Sequence, residues 1–119
     1  MTFKPPVRDL LFSLYEAADF ARLSKAFPEA DNDTVAAVLE GAGVFSADVL
    51  APLNRVGDKV GARMENGKVV AAPGFADAYK QFAEGGWAGL SAETAHGGQG
   101  LPKAVEIAVY EMIQASNMA

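Results

Sequence analysis

The 119 residues predict an all-α domain, a helical bundle of about four main helices with an irregular excursion near residues 57–72. Three observations lead there. Apolar residues recur at three- and four-residue spacings in four separate stretches. Proline and glycine stand where those stretches open and close. The one β-like piece, Val69-Val70, is too short to make a sheet.

The first helix is expected from Val7 to Phe20. Leu10, Leu11, Leu14, Tyr15 and Ala18 share one face there, and Pro5-Pro6 precedes it. Ala21 to Ala30 reads as a connector with room for a helical turn. Asp31-Asn32-Asp33-Thr34 then offers several N-caps ahead of Val35, Val38, Leu39, Ala42, Phe45, Val49, Leu50, Leu53 and Val56. Their spacing implies one long helix buried along a single stripe, with Pro52 as the expected bend. Gly41 and Gly43 should weaken it by about 1 kcal/mol each relative to alanine.

The pattern lapses around Gly57-Asp58-Lys59-Val60-Gly61, and Glu65-Asn66-Gly67-Lys68 is a turn signal, so this part reads as an exposed excursion. Phe75, Tyr79, Phe82 and Ala83 mark a third helix, stopped by Gly85-Gly86. After a connection through Trp87, Leu90 and Gly97-Gly98-Gln99-Gly100, Pro102 opens a last helix with Val105, Ala108, Val109, Met112 and Ile113 on one face. That helix is read through to Ala119 with no glycine cap, an ending suited to a chain that continues within a larger protein.

Composition narrows the function classes. The chain has no cysteine, which excludes disulfides, thiolate catalysis and thiolate metal sites. Its net charge of −5 and scattered basic residues argue against a nucleic-acid partner. No run of about 18 consecutive apolar residues is present, so a membrane span is not expected and the protein reads as soluble. MTFKPPVRDL lacks the apolar run of a secretory signal, so a cytoplasmic location is the expectation.

Candidate sites stand beside plainer readings. Gly97-Gly98-Gln99-Gly100 has the glycines of a phosphate cradle, but no strand precedes it and no Lys-Ser/Thr follows, so a tight structural turn is expected. His96 is the sole histidine, with Glu93 a poor companion ligand, so no metal site is expected and a solvated loop residue is. Glu106 and Glu111, about 500° apart around the last helix, cannot work as an acid/base pair; Glu106 is expected at the surface, and Glu111 facing solvent or a partner. Ser91, Ser116 and the threonines lack a His-centred base. Phe12, Tyr15, Phe45, Phe75, Tyr79, Phe82 and Trp87 lie on or beside helical stripes and read as core. Residue chemistry alone therefore gives no self-sufficient catalytic constellation.

Tyr79-Lys80-Gln81-Phe82-Ala83-Glu84-Gly85-Gly86-Trp87-Ala88-Gly89-Leu90-Ser91, followed by His96-Gly97-Gly98-Gln99-Gly100-Leu101-Pro102, closely resembles the amino-terminal helical domain of the acyl-CoA dehydrogenase family. There a helix leads to a Gly-Trp-x-Gly-Leu phrase and then to Gly-Gly-x-Gly before the next helix. Pro6-Val7-Arg8-Asp9-Leu10, Ala51-Pro52-Leu53-Asn54 and Glu65-Asn66-Gly67-Lys68-Val69 look like the subgroup of larger members that includes the 3-methylmercaptopropionyl-CoA dehydrogenases. His96 departs from the tyrosine common at that place. The similarity spans nearly the whole chain.

The resemblance implies that residues 1–119 are one domain of a flavoprotein, with the flavin-binding β domain, the carboxy-terminal helical domain and the catalytic glutamate all outside them. It implies FAD in the parent enzyme and none on this chain, acyl-CoA as the parent's substrate, and the remaining dehydrogenase domains as partners. By the same resemblance the domain walls off part of the acyl pocket without being catalytic alone, and Asn117 and Met118 are the candidates for the pocket edge. Apolar surface left for the other domains would make the isolated chain a homo-oligomer. A reading from another class is a stand-alone helical protein-interaction module.

Overall fold

The structure, a computed structural model, describes residues 2–119. Helix α1 (Val7–Phe12) runs on into a π-helical turn, Ser13–Ala17, closed by a 2.9 Å bond from the Ala18 amide to the Ser13 carbonyl. The run stops at Ala17, three residues before the expected Phe20, and Asp19 follows at φ +50°. The expected connector contains a 3₁₀ turn, Phe20–Lys25. Asp31 then caps α2 (Asn32–Phe45), its carboxylate accepting the Thr34 amide at 2.7 Å.

Helix α2 continues through a π-helical turn (Ser46–Leu50) into α3 (Ala51–Val60), giving the expected single long helix. Pro52 is accommodated in the turn that precedes it. A proline ring crowds the carbonyl four residues back and offers no donor to it. The helix widens at that point, and the Ala51 amide reaches the Ser46 carbonyl, five residues away. Gly43, expected only to weaken the helix, has a packing role: a Cβ there would stand 2.9 Å from the Pro5 Cβ, so the amino-terminal segment lies directly against α2. By length and composition alone, Asn32–Val60 is apolar enough to cross a bilayer, which a search for an unbroken apolar run passes over. Here its Val35, Leu39 and Ala42 are fully buried against protein.

Two corrections concern the excursion. The helix runs on to Val60 and stops at Gly61, at φ +64°, so irregular structure begins four residues after the expected lapse at Gly57. A small sheet is also present: β1 (Arg63–Glu65) and β2 (Lys68–Val70) pair antiparallel, Arg63 with Val70, Met64 with Val69 and Glu65 with Lys68. Asn66 and Gly67 both take positive φ, the signature of the tight turn their sequence announces. What was missed was the partner strand, because Arg63-Met64-Glu65 carries no β-branched residue.

Helix α4 (Phe75–Glu84) and helix α5 (Lys103–Ser116) fall where expected. The end of α5 does not. Asn117 is extended, and the last residues turn along α3, where the Asn54 Oδ1 accepts the amides of Met118 at 2.9 Å and Ala119 at 3.3 Å. The helix is thus closed by side-chain amides rather than by glycine.

The core lies where α2 crosses α5, with α1 and the loop after α4 closing it. Val35, Leu39, Val105, Val109 and Met112 are wholly buried, and each such burial stabilises by roughly 1.5–3 kcal/mol. The molecule is flat, 54 × 37 × 17 Å, with a radius of gyration of 16.2 Å against about 13.5 Å for a compact domain of this length. Its accessible surface, 7828 Å², exceeds by roughly 1,700 Å² that of a typical monomer of this mass.

Candidate functional site

Where α3, α4 and α5 meet at their outer side they leave an apolar groove of about 270 Å³. Leu50 and Leu53 come from the long helix; Phe75, Ala78, Tyr79 and Phe82 from α4; Ile113 and Asn117 from the last helix and its end. The α4 residues arise from the three- and four-residue spacing seen in the sequence, which puts them on one stripe. That stripe is only partly covered. Phe75 and Phe82 are half-buried, and Tyr79 stands 72% exposed at the rim, against its expected place in the core.

Aromatic contacts fix the floor of the groove. Phe82 packs on Phe45 (centroids 6.3 Å apart), on Tyr110 edge-on (6.4 Å) and on Tyr79 (6.4 Å), while Phe45 stacks on Trp87 at 6.2 Å. Pairs at these separations add about 0.5–1.5 kcal/mol beyond area burial, so Phe45 and Tyr110 support Phe82 from behind the groove. Phe12 is 63% exposed, the second aromatic residue that the stripe placed inside and the fold places outside.

Of the two predicted pocket-edge residues, Asn117 lines this groove, with its Nδ2 donating to the Leu50 carbonyl at 2.9 Å. Met118 does not line it: its side chain is 82% exposed beside Asn54, Arg55 and Asp58. The groove's other residues were legible as stripes. Their convergence was not, because it depends on the crossing of three helices.

The glycine loop has no amide to offer an anion. Gly97 donates to Thr94, Gly98 to Glu93, Gln99 to Gly89, Gly100 to Ala92 and Leu101 to Leu90, at 2.9–3.1 Å. A Cβ on Gly98 would stand 2.1 Å from the Ala92 carbonyl oxygen, so a tight structural turn is what these glycines serve. His96 is exposed, with its Nδ1 3.7 Å from Glu93, and no group of three or more metal-ligating side chains occurs among the described residues.

Glu106 corrects an expectation. It is buried, 8% exposed, where a surface position was expected. Its Oε2 accepts the Ser91 hydroxyl at 2.8 Å and pairs with the Lys103 ammonium, which also donates to the Ser91 Oγ at 3.1 Å. The Lys103 hydrogen bond, assisted by that of Ser91, holds the carboxyl below its ordinary range against the opposing effect of burial. Lys103 lies three residues earlier on the same helix, and the first turn of a helix favours a carboxylate, which are the two sequence signals for this site. Glu111 faces solvent, so the two carboxylates do diverge. The Ser91–Glu106–Lys103 cluster ties the loop after α4 to the first turn of α5.

No family model matches the chain. Over its whole length it is 39% identical to part of the 3-methylmercaptopropionyl-CoA dehydrogenase of Ruegeria pomeroyi. The chain is similar to a segment of an acyl-CoA dehydrogenase. It spans about a fifth of that relative's length, 21%.

Proposed function

We propose that this chain acts as the amino-terminal helical domain of a flavin-dependent acyl-CoA dehydrogenase and that the α3–α4–α5 groove, ending at Asn117, forms one wall of the acyl pocket. The observation that carries the proposal is the end-to-end identity of 39% to the dehydrogenase, joined to an apolar groove on an otherwise ordinary helical fold. In this reading the chain contributes shape and dryness. An apolar wall excludes water from the thioester and orients it, while the chemistry belongs to groups elsewhere in the parent.

The glycine loop offers a flavin diphosphate no free amide, because each donates to a carbonyl of residues 89–94. FAD is accordingly assigned to the polypeptide outside this segment. By analogy with the relative's name, the parent's substrate is an acyl-CoA thioester of the thioether type.

The test is a hybrid in which this chain replaces the matching segment of the Ruegeria pomeroyi dehydrogenase. The hybrid is expected to carry FAD and dehydrogenate acyl-CoA with an artificial electron acceptor, while the 119-residue chain alone shows neither flavin absorbance nor turnover. A folded hybrid without flavin, or stoichiometric flavin on the isolated chain, refutes the assignment.

A further inference from the structure

The β1–β2 hairpin is built with its apolar side outward. Met64 and Val69 are directly opposed across the strands and therefore project to the same face, where they are 67% and 73% exposed. Arg63, Glu65 and Lys68 alternate onto the other face together with Val70, the one hairpin residue that is partly buried. Val60, at the end of α3, adds a third exposed apolar side chain close by in sequence. A lone two-stranded hairpin is marginal in water, and this one leaves its apolar pair largely exposed to solvent.

We infer that the outer face of the hairpin, Met64 and Val69, is covered by an apolar surface of the polypeptide from the rest of the dehydrogenase. This rests on the reading given under Proposed function. A second copy of the chain is the poorer occupant. A self-standing interface needs about 800 Å² per partner, and three side chains no larger than methionine do not supply it. A surface already tethered to the chain needs no such area, because it does not lose the freedom of a separate molecule. The relative offers that tether, since about four-fifths of its length lies outside the matched segment.

Trypsin reads the inference, because Arg63 and Lys68 lie in the hairpin itself. Cleavage there is compared between the 119-residue chain and the hybrid dehydrogenase, each with and without Met64→Asp plus Val69→Asp. Expected is protection of about tenfold or more in the hybrid relative to the chain, lost on the double substitution. Circular dichroism of the doubly substituted chain should be unchanged, since both side chains are exposed. Equal cleavage in chain and hybrid overturns the inference, as does protection that survives the double substitution. Flavin content of the hybrid is scored separately, so a folded hybrid lacking FAD sinks the parent reading while the cleavage comparison still decides the hairpin.

Discussion

Replacing Glu106 with glutamine tests whether the Ser91–Glu106–Lys103 cluster holds the loop after α4 on α5. The substitution keeps the shape and leaves one oxygen for the Ser91 hydroxyl, but removes the charge that Lys103 meets. A hydrogen bond to a charged acceptor contributes about 1.5–3 kcal/mol. The Lys103 side chain is 71% exposed, and a screened pair of that kind adds only about 0–1 kcal/mol. With part of the serine bond retained, the expected loss is about 1–2 kcal/mol, or roughly 4–8 °C in thermal midpoint for a chain of this length. The pH dependence follows from the direction of the shift. The carboxyl titrates lower in the folded chain than its ordinary 4.5, so its stabilisation is present above that pH and is lost as pH falls through the folded value. Urea unfolding should separate wild type from Glu106→Gln near pH 7, and the gap should narrow as the pH falls below 4.5. Equal stability near neutrality, or a gap undiminished in acid, refutes the cluster's role.

Further outcomes follow from other positions. Gly98→Ala should destabilise by at least about 2 kcal/mol in thermal melts, because its Cβ meets the backbone carbonyl of Ala92 at 2.1 Å and neither can yield. Met112→Ala, at a wholly buried site between α2 and α5, should cost about 2–5 kcal/mol in urea titration. Asp31→Ala should lower the thermal midpoint at neutral pH by losing the bond to the Thr34 amide. That bond, the main cause, holds the carboxyl below 3.8, so the difference should vanish as acid protonates it. Asn54→Ala should release the Met118 amide, visible as faster hydrogen exchange there with little change at Val105, while Ala119 keeps its 3.0 Å bond to the Asn117 Oδ1.

The helices were legible because each has an apolar stripe and a start or stop signal. Asp31 before Val35, Gly85-Gly86 after Phe82 and Pro102 before Val105 all act where sequence placed them. Three features were not. The β1 strand is held by its register with β2 through the Asn66-Gly67 turn, which no local propensity of Arg63-Met64-Glu65 reveals. Glu106 is buried because Ser91, fifteen residues away, returns to it, a long-range pairing that a single-residue prior misses. The groove needs the crossing of α3, α4 and α5, and its rim residue Tyr79 belongs to a stripe wider than the surface available to bury it. The glycine loop went the other way: failure of the phosphate pattern in sequence agrees with amides that are all internally bonded.

The sole tryptophan lies at the joint between the glycine loop and the long helix, stacked on Phe45 and close over Gly41. Its emission is therefore a native optical gauge of that joint. Loosening of the loop would wet the indole and redden its spectrum while the helical signal stayed constant, so local opening and global unfolding can be timed separately in one unlabelled sample.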